Sequence, residues 1–262
     1  MSIRFALGRV ALALAVPIAA MGTAARSGAA APATSRWTPL ASPHYRGSSV
    51  GFAGISCASP EFCMAVGGVA RSKATEPFTA RWNGTAWIAV AAARGAPPGA
   101  YLNGVSCVSP SWCVAVGQST RSLVEQWNGT SWKVVKSASP GSGGDVLSSV
   151  TCRARTWCRA VGQSFNTAGQ DRTLIEGWDG HRWTRIASPN ATSLSNWLES
   201  ISCTSTSFCQ AVGFHAVHEG SGRVLQQNLA ERWAGHRWAV RPTPDRPTAY
   251  NDLFGVSCVT AA

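Results

Sequence analysis

The sequence predicts an all-β protein built from repeated four-stranded antiparallel sheets, and three observations predict it. A cysteine recurs as Cys57, Cys107, Cys152, Cys203 and Cys258, at intervals of 50, 45, 51 and 55 residues. Six residues after each of the first four stands a second cysteine (Cys63, Cys113, Cys158, Cys209), preceded by Phe or Trp and followed by Ala-Val-Gly. Farther on comes a Trp-x-Gly-x-x-Trp unit, with its tryptophans at 82/87, 127/132, 178/183 and 233/238. A period of this size that carries four short strands is the signature of a β-propeller blade.

The elements of one repeat follow in order, A to D. Strand A carries an apolar residue five before its cysteine (Phe52, Leu102, Leu147, Leu198, Leu253) and Ile or Val two before it. Strand B opens on the second cysteine. Strand C ends on the first tryptophan, and in Ser122 to Trp127 its residues alternate. Asn83-Gly84, Asn128-Gly129 and Asp179-Gly180 mark a tight turn, because these residue pairs tolerate positive φ. The second tryptophan then opens strand D. Blades bury both faces, so apolar residues are not confined to one phase.

Counting along the repeat shows where variation is allowed. From the D-strand tryptophan to the next A-strand cysteine the count is 20 in every copy, starting with Trp37 to Cys57. The A–B and C–D turns are also constant. All the length change falls between the Ala-Val-Gly glycine and the C-strand tryptophan, at 15, 10, 16 and 20 residues. The B–C loops are therefore expected to vary, roughly Gly68 to Pro77, Gln118 to Arg121, Gln163 to Asp171 and Phe214 to Val224. In an ABCD blade these loops share one edge with the D–A connections.

The expected organisation is a secretory signal peptide over 1–25, a flexible lead-in over 26–36 and propeller repeats over 37–262. Arg4 and Arg9 form the positive region of the signal, residues 10–20 its apolar region, and Thr-Ala-Ala at 23–25 the cleavage site. The apolar run is too short to span a bilayer, so no membrane span is expected in the mature chain. Complete blades are placed near 51–97, 101–140, 146–189 and 197–244. A lone D strand is expected at 37–43 and a lone A strand at 253–258. The four Cys-x₅-Cys pairs are Cys57 with Cys63, Cys107 with Cys113, Cys152 with Cys158 and Cys203 with Cys209. They lie across A–B hairpins, where facing positions suit a disulfide, and export supplies the oxidising compartment. Zinc sites use tighter spacing and a second pair nearby, so no metal and no cofactor are expected. Cys258 is left without a partner.

Ala-Val-Gly, a variable loop and Trp-Asn-Gly-x-x-Trp, in that order, resemble kelch-type propellers. The Gly-x-x-Trp hairpin is also similar to the Asp-box of sialidase-like propellers. The resemblance spans Trp37 to Cys258. Only Gly67-Gly68 keeps the kelch double glycine, and only Asp179 offers the acid of the Asp-box. With one disulfide per blade and an Ala/Gly/Arg-rich composition, the chain looks like repeat proteins exported by high-GC Gram-positive bacteria.

Chemistry is harder to place. Glu125, Glu176 and Glu231 each lie two before a tryptophan, one per blade, and symmetry spreads them apart where a catalytic carboxylate pair needs one place. They read as hydrogen-bonding groups inside each blade. His181 and His236 fall in turns. His215 and His218, followed by Glu219, stand in the longest B–C segment. Tyr45, Tyr101 and Tyr250, with Trp197, lie in the D–A connections on the same edge. Asn83, Asn128 and Asn190 match glycosylation acceptors, though the turn role accounts for the first two. The net charge is +11, which favours acidic polymers over neutral ones, and no module for sequence-specific nucleic-acid binding is recognisable. The expectation is a secreted, non-catalytic binding or scaffold propeller that takes carbohydrate or an anionic envelope polymer on its B–C edge, with Tyr45, Tyr101, Trp197, Tyr250, His215 and His218 as candidate binding residues. The alternative is an exported glycosidase- or lyase-like propeller enzyme.

Overall fold

A computed structural model describes residues 39–43, 49–71, 74–138, 144–165, 169–220, 222–246 and 250–260. The chain divides into a unit over 1–39, of which only Pro39 is described, and a unit over 40–262 that holds every strand. The expected signal peptide, the lead-in and Trp37 lie outside the described residues.

The second unit is all-β. Its sixteen strands form four antiparallel sheets, each of four consecutive strands in chain order. The first sheet holds β1 (Ser49–Ser59), β2 (Phe62–Ala70), β3 (Thr75–Trp82) and β4 (Trp87–Val90). The second holds β5 (Tyr101–Ser109), β6 (Trp112–Gln118), β7 (Ser122–Trp127) and β8 (Trp132–Val135). The third holds β9 (Val146–Ala154), β10 (Trp157–Phe165), β11 (Asp171–Trp178) and β12 (Trp183–Ile186). The fourth holds β13 (Asn196–Ser205), β14 (Phe208–His218), β15 (Val224–Trp233) and β16 (Trp238–Arg241). These are propeller blades, and each A strand packs on the A strand of the next blade. Among the described residues, no helix is long and apolar enough to cross a membrane.

Each blade is pinned at the end opposite its B–C hairpin. Cys57 faces Cys63 across the first A–B hairpin, Cys107 faces Cys113 in the second, Cys152 faces Cys158 in the third and Cys203 faces Cys209 in the fourth. All four pairs are disulfides, with Cα atoms 3.9 to 4.1 Å apart. Cys203 and Cys209 are both buried in the core of the fourth blade, as Cys152 and Cys158 are in the third. The two tryptophans of each C–D hairpin also face one another, with ring centroids 5.6 to 5.8 Å apart. The C-strand indole N–H then donates back to a carbonyl of its own A–B turn: Trp82 to Pro60, Trp127 to Pro110, Trp178 to Arg155, Trp233 to Thr206. The C–D connection is a four-residue loop, capped by the Asn83, Asn128 or Asp179 side chain accepting backbone N–H groups. Gly84, Gly129, Gly180 and Gly235 supply the positive φ it requires. Replacing Cys107 and Cys113 together by Ala is expected to lower stability by about 2 kcal/mol on the loop-entropy model, read by urea denaturation.

Strand A carries a bulge at the same place in every blade, which skips Ala53, Asn103, Ser148 or Glu199. The bulge aims a strand-A carbonyl at the Ala-Val-Gly glycine. A Cβ on Gly67, Gly117, Gly162 or Gly213 would stand 1.9 to 2.0 Å from that oxygen.

Blades join through strand-A hydroxyls. Cys107 N–H donates to Ser56 Oγ, and Cys152 N–H donates to Ser106 Oγ, both at 2.9 Å. Ile201 N–H donates to Ser149 at 3.4 Å. Apolar packing surrounds these bonds: Leu102 and Val105 sit with Met64 and Val66 of the first blade.

Two expectations at the margins need correction. Residues 39–43 carry no strand, so the lone D strand is not seen in the described part of 37–43. The segment 253–258 is not a strand either, because no second strand lies beside it among the described residues. It nevertheless occupies the A-strand place on the fourth blade: Val256 N–H donates to Ser200 Oγ at 3.2 Å and Cys258 N–H to Ser202 Oγ at 3.0 Å.

Candidate binding face

The B–C hairpins and the D–A connections share an edge. Gly99 N–H donates to Thr75 O, Gly144 to Thr120 O, Ala216 to Ser195 O and Asn251 to Gln226 O. The length differences are taken up in a way the sequence did not indicate. In the fourth blade β14 and β15 keep pairing from Phe214–Asn228 to His218–Val224, so only residues 219–223 form the loop. In the second blade pairing stops at Gln118–Ser122. The extra residues therefore lengthen a ladder, because continued pairing satisfies backbone groups that a long loop would leave to water.

That ladder changes the reading of the histidines. His215 and His218 are three apart on one strand, so their side chains leave opposite faces. His215 is half-buried, and burial holds its pKa below the usual value, with Asp245 pulling the other way. His218 is exposed at the hairpin end. Glu219 bonds across the loop, with its N–H to Arg223 O and its carboxylate 3.8 Å from the Arg223 guanidinium. Among the described residues no group of three His, Cys, Asp or Glu could hold a metal.

The aromatics divide by role. Tyr45 lies outside the described residues. The Tyr101 ring lies over Gly68 of the first blade, where a Cβ would sit 2.4 Å from it. Trp197 stacks at 5.7 Å on Phe214 and donates its indole N–H to Ser148 of the third blade. Both are half-buried between blades. Tyr250 is 63 % exposed, its hydroxyl donating to Val224 O at 3.3 Å. Tyr250, Val224 and His218 are thus exposed together at the fourth blade's part of the edge.

Several residues of this edge went unread in the sequence. Arg172 donates to the carbonyls of Thr192, Ser193 and Leu194, which fixes the connection into the fourth blade. Buried Asn196 ties the same connection from the other side, bonding Ala191, Thr192 and Leu194. Glu199, the bulge residue of the fourth blade, has its pKa raised by burial and by Asp252. A bulge makes that position point toward the neighbouring segment, and the spacing of the cysteines alone does not reveal a bulge.

The three repeated acids are fully buried, and two of them, Glu176 and Glu231, bond to the preceding blade, contrary to the expectation of a bond within each blade. Glu176 accepts from Ser137 (2.8 Å) and Ala138 N–H (3.0 Å) of the preceding blade, with Ser122 beside them. Glu231 accepts from Ser188 at 2.8 Å, and Ser188 lies 2.8 Å from Thr173. The residues that stand at these two places in the first blade are Pro77 and Ala92, counted from its tryptophans. Neither has a hydroxyl. Among the described residues, both carboxylate oxygens of Glu125 are accordingly without a hydrogen-bond partner. Burial pushes the Glu125 pKa up to about 7 and that of Glu231 up to about 8, and it also raises that of Glu176. Closed off between sheets, these acids shape blade junctions.

No protein-family model matches the chain, and no curated protein matches it. Among solved structures it is similar to YCF48 bound to D1 peptide, at 13 % identity and TM-score 0.44, over 77 % of this chain and 59 % of that one. It is also similar to Sqt1 from Chaetomium thermophilum, at 8 % identity and TM-score 0.36, over 80 % of this chain and 75 % of that one. The chain spans about three fifths of the YCF48 structure it matches.

Proposed function

We propose that the protein is an exported, disulfide-stapled propeller that binds, without catalysis, a carbohydrate or anionic envelope polymer at the B–C edge of its fourth blade. The observation that carries this reading is the extended β14–β15 hairpin. Among the described residues, it alone brings an exposed tyrosine, Tyr250, beside an exposed aliphatic side chain, Val224, and a hairpin-end histidine, His218. A flat aromatic next to polar donors suits the apolar face and hydroxyl rim of a sugar ring. The cations of the same edge are partly engaged, Arg71 with Glu76 and Arg223 with Glu219, while Arg121 is exposed. Export is supported by the four disulfides, which need an oxidising compartment to form. The order of Ala-Val-Gly and Trp-x-Gly-x-x-Trp favours a kelch type for the blades.

The test is binding of the oxidised protein to an array of neutral and acidic glycans, with reducing-sugar release followed in parallel. Saturable binding that Tyr250→Ala weakens up to roughly tenfold, the worth of one aromatic contact, supports the reading. Binding unchanged by Tyr250→Ala with His218→Ala puts the ligand elsewhere. Release of reducing sugar replaces the reading with an enzymatic one.

A further inference from the structure

Two opposite faces of the described repeats carry no neighbouring blade, and each presents what a blade junction requires of it. On the leading face, Phe52 and Ile55 are 40 % and 60 % exposed. Their counterparts in the later blades, Leu102 and Val105, Leu147 and Val150, Leu198 and Ile201, are all buried against the preceding blade. A mostly apolar cavity of about 370 Å³ opens beside Phe52 and Ile55, with Trp87 and Ser42 on its wall. On the trailing face stands the segment 253–258, with Phe254, and Val259 just beyond it, exposed at 72 % and 92 %. Exposed apolar side chains are thus gathered at the two ends of the repeat array, where contiguous exposure marks an interaction site.

The two faces also match residue by residue. At each internal junction the strand-A hydroxyl one before the cysteine, or three before it, accepts an N–H from the following blade. The trailing segment offers Ser257 at that place, and the leading face offers the N–H of Cys57. The residue three before the cysteine is Gly54 in the first blade, and its Cβ position is 3.1 Å from Gly104 Cα of the second. A Cβ there would be in tight contact, and the third and fourth blades, which carry Ser149 and Ser200 at that place, make a hydroxyl-to-amide bond instead. The trailing segment has Gly255 at the same place, with open space where a Cβ would go.

We infer that the trailing segment of one copy docks on the leading face of a second copy, continuing the blade junction from chain to chain. The interface is head-to-tail, so it builds a closed ring of copies or an open chain of them. In it Cys57 N–H of one copy donates to Ser257 Oγ of the other, and Gly255 lies against Gly54.

The test is the mass of the full oxidised chain by light scattering and sedimentation, from low micromolar to several hundred micromolar. The expected result is concentration-dependent assembly to twice the monomer mass or more. Gly255→Leu fills only open space in its own copy, so it should return the protein to monomer with an unchanged thermal melt. Ile55→Asp, on the other face, should do the same. A wild-type protein that stays monomeric throughout overturns the inference. So does assembly that survives Gly255→Leu, since the segment is then not what docks, or assembly that survives Ile55→Asp.

Discussion

Gly162→Ala should destabilise the protein by about 4 kcal/mol or more, far beyond what adding one methyl usually costs. The new Cβ would sit 2.0 Å from Val146 O and 2.9 Å from Leu147 Cα, both backbone atoms of strand A. A flexible side chain swings aside at little cost, but a backbone carbonyl moves only if the bulge that aims it is undone. Undoing the bulge slips the register of β9 against β10. That would leave Leu147 and Val150, three residues apart and both buried, on opposite faces of the strand. Gly220→Ala is the control, because nothing lies within 4 Å of its Cβ position. Urea denaturation of both variants decides the matter, and a Gly162→Ala protein within about 1 kcal/mol of wild type would sink the bulge account.

The second large effect is a fall in stability as pH rises. Glu125 has a folded pKa near 7 against an ordinary value of 4.5, so the folded protein holds its proton more tightly than the unfolded chain. Between those values the unfolded chain binds fewer protons, and stability drops with rising pH, levelling above about 7. The drop is about 3 kcal/mol from this residue, and Glu231 continues it toward pH 8. Glu125→Gln keeps the shape without the charge. It should match wild type at pH 4 and exceed it by about that amount at pH 8. Ala92→Ser should narrow the gap by supplying the hydroxyl that Ser137 and Ser188 give to Glu176 and Glu231. Denaturation midpoints at pH 4, 6 and 8 check this, and equal pH slopes for wild type and Glu125→Gln would refute it.

These two effects differ in how much of them the sequence showed. The four blades were legible because every constraint that sets them is local and periodic. Cys57 faces Cys63, and Cys203 faces Cys209, because a tight hairpin allows no other register. Trp82 meets Trp87 for the same reason. The role of Gly162 was hidden, since a glycine in a strand does not announce that a carbonyl fills its missing side chain. The solitude of Glu125 was in plain sight, but only after Glu176 and Glu231 showed that the partner sits in the preceding repeat. Then Pro77 and Ala92 could be counted off. The binding edge was least legible. Length variation was visible, but whether extra residues form a loop or a longer ladder depends on continued pairing between β14 and β15. The same uncertainty placed His215 and His218 together when the strand sends them apart.

Each disulfide closes within a single blade, and the junctions between blades rest on hydroxyl-to-amide bonds, buried carboxylate-to-hydroxyl bonds and packing. A gene rearrangement that duplicates or removes one whole repeat therefore never strands a half-bridge, and oxidative folding of every remaining repeat proceeds as before. Arrays of this design are free to change copy number over evolutionary time, with each repeat able to vary its own hairpin independently.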